Sequence, residues 1–425
     1  LRYSLKNLQK AGIKSRVKQI VPSARTANFH YAIRNIVGAA EARERRGGRV
    51  VYLNIGDPQV YGFRPPAHVT EAVARALRER FTGYAHSSGL VEAREAVAAY
   101  ATAAGAPTRP DEVLITAGAS EAADLLLTAL VEPGDEVLLP APGYPLYPAI
   151  LNKLGAVPAY YKLDPARGWQ PSVEEVEALV NPRTRALVLI NPNNPAGSVT
   201  PDATTRLLLE LAARRDLLVV ADEVYRELCF GPQPAPASAL AAETGVPLVT
   251  LESLSKTHMA PGWRIGWMRF TNAALMTELI RAVHRLASGR LCSPTPAQYA
   301  VRPALEGDRE YLEGFMRALK ARRDFVVGAV RGLEGLSCVE PEAAFYVMIR
   351  AEDAGGRTDE QFVLDLLEET GVLVVHGSGF GADPRPCHFR LVYLAGEETL
   401  AEVFHELGRF LENREGEKRV LGAGC

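Results

Sequence analysis

Lys256 closes the run Ser253-Leu254-Ser255-Lys256, just after the short apolar stretch Leu248 to Leu251, and Arg264 follows eight positions later within Trp263-Arg264-Ile265-Gly266. A lysine amine that is desolvated or set beside a second cation becomes nucleophilic near neutral pH and can form an imine with a carbonyl compound. Arg264 is that second cation, able both to lower the amine's pKa and to clamp a phosphate. A Ser-Lys pair in a loop is by itself ordinary solvated surface, so the chemistry needs partners elsewhere. Four stretches offer them: Asn54-Ile55-Gly56-Asp57-Pro58, Ala117-Gly118-Ala119-Ser120, Asn191-Pro192-Asn193-Asn194-Pro195-Ala196-Gly197 and Asp222-Glu223-Val224-Tyr225.

Each of these stretches directly follows an apolar run of strand length. Val50 to Leu53, Val113 to Thr116, Glu136 to Leu139, Ala186 to Ile190, Leu217 to Ala221 and Leu248 to Leu251 read as strands. Helical patterns cover Ala32 to Arg46, Pro65 to Arg80, Val91 to Ala104 and Glu121 to Val131. From Glu112 onward the alternation is that of an α/β domain, with near-continuous apolar strands covered on both faces. In such sheets ligands gather at the carboxyl ends of the strands, where the polar stretches lie. The small-residue turn Ala117 to Ser120, opening a helix, would present free N–H groups to a phosphate. A close-packed strand-to-helix turn has the same composition. Gly56 would let a ligand approach the backbone, and a plain turn glycine fits its spacing equally.

Beyond Ser293 to Pro296, helical segments cover about Gln298 to Leu333. A second α+β pattern then places strands at Phe345 to Ile349, Leu373 to Val375 and His388 to Tyr393, with a terminal helix from Thr399 to Leu411. Gly377-Ser378-Gly379-Phe380-Gly381 imitates a dinucleotide fingerprint, but its third glycine is at the wrong spacing. There is no internal repeat.

With 425 residues, 47% hydrophobic and 23% charged, and a net charge of -2, the chain has the composition of a soluble globular protein without the basic face that nucleic acid requires. The basic N-terminal residues Arg2, Lys6, Lys10, Lys14, Arg16 and Lys18 precede no apolar segment, and are expected to form a solvated arm rather than a signal or membrane anchor. Five cysteines without Cys-x-x-Cys spacing argue against disulfides and zinc, and fit a reducing cytoplasm. No histidine spacing suits a catalytic metal.

Taken in order, Asn-Ile-Gly-Asp-Pro, Asn-Pro-Asn-Asn-Pro-x-Gly, Asp-Glu-x-Tyr, Ser-x-Ser-Lys and the arginine eight residues on resemble the fold type I, pyridoxal 5'-phosphate-dependent aminotransferases of class I. The resemblance covers nearly the whole chain after the arm. Arg290-Leu291-Cys292 with Pro296-Ala297-Gln298, and His388-Phe389-Arg390-Leu391-Val392, are most similar to the alanine (glutamate–pyruvate) aminotransferases. The resemblance implies an α/β fold: a large domain with a mostly parallel central sheet flanked by helices, and a smaller α+β domain formed by both chain ends. The expected division is an arm over 1–28, the N-terminal part of the small domain over 29–64, the large cofactor-binding domain over 65–305 and the C-terminal small domain over 306–425.

It also implies roles. Lys256 matches the Schiff-base lysine and general base, and Asp222 the carboxylate that keeps the pyridine nitrogen protonated. Tyr225 and Asn194 match the partners of the cofactor's 3-hydroxyl, Tyr144 the aromatic stacked on its ring, and Ala119, Ser120, Ser253 and Arg264 its phosphate cup. Tyr84 matches a residue that reaches the partner subunit's phosphate, which implies a homodimer with shared active sites. Arg390, a guanidinium in the apolar strand Phe389 to Val392, needs a carboxylate to offset its desolvation and matches the substrate anchor. Asn194 and the backbone of Gly56 would complete that α-carboxylate site, and Arg290 is a candidate for the distal carboxylate of glutamate. Two departures stand out: Ala196 replaces the usual threonine, and Gly289 falls near the place of the distal-carboxylate arginine of aspartate aminotransferases.

The implied reaction exchanges the amino group between L-alanine and 2-oxoglutarate, giving pyruvate and L-glutamate by a ping-pong mechanism. Aspartate, aromatic or aminoadipate substrates, or a β-lyase reaction on the same cofactor, are the alternatives. A DNA-binding regulator reusing the fold would need a helix-turn-helix before Tyr31, and a dehydrogenase a Rossmann fingerprint; the sequence has neither.

Overall fold

The computed structural model describes residues 20–23, 25–26 and 32–422. Most of the expected arm, including the six basic residues Arg2, Lys6, Lys10, Lys14, Arg16 and Lys18, lies outside the described residues. Within them the strands are β1 (Val51–Tyr52), β2 (Val113–Thr116), β3 (Glu136–Ala141), β4 (Val157–Asp164), β5 (Gln170–Pro171), β6 (Thr184–Ile190) and β7 (Leu218–Asp222). They continue with β8 (Leu248–Ser253), β9 (Gly266–Thr271), β10 (Leu336–Cys338), β11 (Tyr346–Ala351), β12 (Val372–Leu373), β13 (Val375–His376) and β14 (Cys387–Val392).

Eight strands form one sheet in the order β2-β9-β8-β7-β6-β3-β4-β5. The pairs β4-β3, β3-β6, β6-β7 and β7-β8 are parallel, whereas β9 runs antiparallel to both β8 and β2. The near-continuous apolar runs have a direct cause in this architecture. In β6, Ala186, Val188 and Ile190 pack into one buried cluster while Leu187 and Leu189 pack into the cluster on the opposite face. Both faces are roofed by helices, so alternate residues are all apolar. The helix Ala119–Leu130 covers one face, and Asp202–Arg214 the other.

A second, four-stranded antiparallel sheet has the order β10-β11-β14-β13. Its core unites the chain ends: Ile36, Ala40 and Leu53 pack with Phe362, Phe389, Leu400 and Phe410. β1 pairs in parallel with β12, Val51 opposite Val372. The expected α/β fold with a smaller unit built from both ends is the observed one.

Some elements differ from the sequence expectation. The run Leu373 to Val375 is not one strand: β12 pairs with β1, and β13 with β14. The expected helix Ala32 to Arg46 is broken at Ile36 into Ala32–Asn35 and Val37–Arg45. β4 and β9 were not expected. β4 contains Pro158 and exposes Val157, which masks its alternation, and β9 begins at a glycine directly after the turn that holds Arg264.

Candidate active site

The carboxyl ends of β6, β7 and β8 converge on a cavity of about 550 Å³ whose far wall is built from β11 and β14 of the smaller sheet. Parallel pairing aligns these ends, with Ile190 opposite Asp222 and Asp222 opposite Leu251. Residues that lie far apart in sequence therefore open onto one space.

Lys256 stands in the turn after β8, and its Nζ donates to the backbone oxygen of Gly56 at 2.8 Å. Its amine also lies 5.9 Å from the Tyr225 ring centre and 5.7 Å from that of Phe345. Desolvation, followed by the positive charge of Arg390, lowers its pKa from 10.5 to about 8, and Arg264 acts in the same direction. Asp57 and Asp222 oppose that shift without cancelling it. The amine is therefore poised as a nucleophile or base near neutral pH.

Asp222 ends β7 and is 6% exposed. Burial raises its carboxyl to about 6, although the Tyr147 hydroxyl, the Val224 N–H and Lys256 all favour the charged form. Tyr147 donates to Oδ2 at 2.9 Å. A carboxylate buried in the cavity wall in this way suits a further cation brought in by a ligand.

Opposite Lys256, the helix Ala119–Leu130 opens with Gly118 as its N-cap at φ 83°. A Cβ on Gly118 would lie 2.3 Å from Nη2 of Arg264, so glycine is what lets the guanidinium close over the helix end. Arg264 itself adopts a left-handed backbone, φ 53° and ψ 54°, and donates to the carbonyls of Pro261 and Ala117 at 2.8 and 3.2 Å. With Ser253 and Ser255 also on the cavity wall, first-turn N–H groups, hydroxyls and a guanidinium surround a site fit for a dianion.

The far wall carries Arg390, 1% exposed in β14. It donates to Oδ1 of Asn194 at 2.9 Å and to the backbone oxygen of Asn54, and lies between the rings of Tyr346 and Phe380, 4.5 and 4.7 Å from their centres. Arg390 thus faces the cavity as a fixed cation matched to a carboxylate.

The family "aminotransferase class I and II" matches residues 49–407. This chain is an aminotransferase of classes I and II. It is 35% identical to the alanine aminotransferase of Mycobacterium tuberculosis over 404 residues, 93% of this chain and 94% of that protein. A solved alanine aminotransferase from Pyrococcus furiosus superposes with a TM-score of 0.89 at 36% identity, over 92% of this chain and all of that one. The aspartate aminotransferase of Geobacillus stearothermophilus is 32% identical over 95% of this chain and 99% of its own length.

In this aminotransferase, Lys256, Asp222, Tyr225, Asn194, Tyr144, Ala119, Ser120, Ser253, Arg264, Gly56 and Arg390 all line the cavity. Tyr84 and Arg290 do not. Tyr84 is 83% exposed, outside the cavity of its own chain. Arg290 lies 3.0 Å from the carboxylate of Glu121 and donates to the Ile115 carbonyl at 2.9 Å, so its charge is engaged away from the cavity. Ala196 is buried in the core on one face of the large sheet and contributes nothing to the lining.

Sequence reasoning missed Tyr147, Tyr346, Asn54 and Arg34. Tyr147 follows Tyr144 by three residues at the start of the helix Leu146–Leu154, a spacing that could have flagged a second inward tyrosine. Tyr346 lies in the expected strand Phe345 to Ile349, in which no polar motif marks it. Arg34 sits in the short helix Ala32–Asn35 and lines the exposed edge of the cavity, where no local pattern distinguished it from surface. Among the described residues there is no His, Cys, Asp or Glu cluster able to hold a metal, and no helix long and apolar enough to cross a membrane.

Proposed function

We propose that this aminotransferase uses pyridoxal 5'-phosphate to exchange the amino group between L-alanine and 2-oxoglutarate, releasing pyruvate and L-glutamate in a ping-pong sequence. The observation that carries the reading is one cavity holding an amine of lowered pKa, a buried carboxyl and a buried guanidinium. The residues fit the cofactor. The Gly118 cradle with Arg264, Ala119, Ser120 and Ser253 suits its phosphate, Asp222 its pyridinium nitrogen, and Lys256 its aldehyde carbon. Tyr225 and Asn194 would hold its 3-hydroxyl and Tyr144 its ring face. When bound there, the cofactor supplies the sink for the electron pair left as the substrate's α-proton departs.

The chain's own groups do the rest. Asp222, backed by Tyr147, holds a proton on the ring nitrogen. Arg390 orients the α-carboxylate, with Asn194 and the Gly56 backbone beside it. The Lys256 amine, its pKa lowered to about 8, removes and returns the proton at the α-carbon. Arg34 takes the distal carboxylate of glutamate and 2-oxoglutarate, in place of Arg290. Alanine specificity is supported by the relatives that bear that name, and the Geobacillus relative makes aspartate the second reading. The same proposal includes a cytoplasmic homodimer in which Tyr84 reaches the partner's phosphate site. It also includes the division at residues 28, 64 and 305, which the shared core of Ile36, Leu53, Phe362 and Leu400 supports.

The test is single-turnover spectroscopy of the cofactor-loaded protein with each amino acid in turn. Loss of the visible band with both alanine and glutamate, abolished in Lys256→Ala, is the expected result. Conversion by aspartate but not alanine overturns the substrate assignment, and no visible band on loading overturns the cofactor.

A further inference from the structure

Tyr346 opens β11 in the smaller sheet and is 2% exposed, while Tyr225 follows β7 of the large sheet and is 4% exposed. Their hydroxyl oxygens lie 2.8 Å apart. Each phenol has one proton, and the bond between them uses one. If Tyr225 spent its proton on Tyr346, it would offer the cavity only lone pairs. If Tyr346 donates, Tyr225 keeps its proton for an acceptor in the cavity, and its donation is strengthened by the bond it accepts.

We propose that Tyr346 is a positioning residue that donates to Tyr225, aims the Tyr225 proton into the cavity, and ties that hydroxyl to the arginine that receives the substrate carboxylate. The tie is physical. The Tyr346 ring lies edge-on to Tyr225, with centres 5.6 Å apart at 81°, and its face carries the Arg390 guanidinium at 4.5 Å. One side chain from the smaller sheet therefore sets both the cofactor side and the carboxylate side of the site.

Gly56 makes room for this arrangement. A Cβ there would lie 2.3 Å from the Tyr346 hydroxyl oxygen and 2.5 Å from the Phe345 ring, and the Gly56 carbonyl is the acceptor for Lys256. The glycine of the Asn-Ile-Gly-Asp-Pro stretch is thus required by Tyr346, whether or not a ligand approaches it.

The inference rests on the proposed cofactor reading, in which the acceptor for Tyr225 is the cofactor's 3-oxygen. A donor to that oxygen would stabilise negative charge on it, and would thereby lower the pKa of the nitrogen through which Lys256 would hold the cofactor. The charged and titratable groups facing Lys256 are Arg390, Asp57, Arg264 and Asp222, and those facing Tyr225 are Tyr346, Tyr144 and Arg390. Tyr346→Phe removes one oxygen, keeps the ring on Arg390 and leaves the other groups in place.

The experiment is a pH titration of the visible absorption of cofactor-loaded protein, unsubstituted and as Tyr346→Phe, Tyr225→Phe and the double variant. Tyr346→Phe is expected to raise the midpoint by about half to one pH unit, the scale of one net hydrogen bond. The double variant should match Tyr225→Phe alone, because Tyr346 acts through Tyr225. Gly56→Ala, which displaces the Tyr346 oxygen, should shift the midpoint in the same direction. An unmoved midpoint in Tyr346→Phe overturns the proposal, as does a double variant that adds the two shifts in full. A protein that shows no visible band on loading overturns the cofactor reading and this inference together, a result distinct from a band that fails to move.

Discussion

The Tyr147 hydroxyl donates to Oδ2 of Asp222 at 2.9 Å, joining the first turn of a helix to the end of a strand 75 residues away. It is the strongest local support for charge on a carboxylate that burial otherwise pushes up to about 6. A folded-state pKa above the unfolded value of 3.8 means that the unfolded chain loses its proton first. Asp222 thus lowers stability progressively as pH rises from about 4 to about 6, and the loss persists at neutral pH. Asp222→Asn should stabilise the cofactor-free protein by on the order of 2–3 kcal/mol at pH 7 while abolishing transamination. Thermal unfolding at pH 4 and pH 7 checks it: the gain should vanish at the lower pH.

Lys256 is predicted to govern how fast the cofactor is captured. With its pKa lowered to about 8, the neutral amine increases with pH up to that value. The second-order rate of band formation should climb about tenfold per pH unit below 8 and level off above it. A rate still climbing at pH 10 would mean that the amine is not depressed. Lys256→Ala should give no covalent adduct after borohydride treatment.

Arg390 and Arg34, two of the arginines on the cavity wall, should separate cleanly in kinetics. Arg390→Lys loses the planar fork held by Asn194 and the aromatic rings, so kcat/KM should fall about 100-fold or more for alanine and glutamate alike. Arg34→Gln should raise KM for glutamate and 2-oxoglutarate about tenfold or more, and leave the alanine half-reaction within about twofold. Equal effects on both half-reactions would remove Arg34 from the distal-carboxylate role. Arg290→Gln, already engaged with Glu121, should not discriminate between the substrates.

Gly118→Ala is predicted to weaken cofactor retention. The new methyl would meet the Arg264 guanidinium at 2.3 Å, on a backbone at φ 83° that costs a non-glycine residue about 1–3 kcal/mol. Faster loss of visible absorbance on dialysis, restored by added pyridoxal phosphate, is the expected result. Retention equal to the unsubstituted protein would show that the cradle adapts.

The ends of β2, β6, β7 and β8 were legible in the sequence because apolar runs end abruptly at polar or small-residue motifs, a local signal. Lys256, Asp222, Asn194, Ser120 and Arg264 each belong to such a motif, and each lines the cavity. Arg390 was legible for another local reason, a guanidinium inside an apolar strand. Tertiary structure alone decided which remaining polar groups join them. The Asp222–Tyr147 and Tyr225–Tyr346 bonds span 75 and 121 residues, and Arg34 meets the cavity only because the chain's beginning folds into the smaller unit. Arg290 sits in an equally suggestive motif yet is drawn to Glu121. Gly56 has its true constraint in a tyrosine 290 positions downstream. Local patterning specifies where strands and turns fall, because burial on one or both faces imprints a period on neighbouring residues. The sheet order and packing specify which side chains meet, because those distances depend on strands and helices that carry no record of one another along the chain.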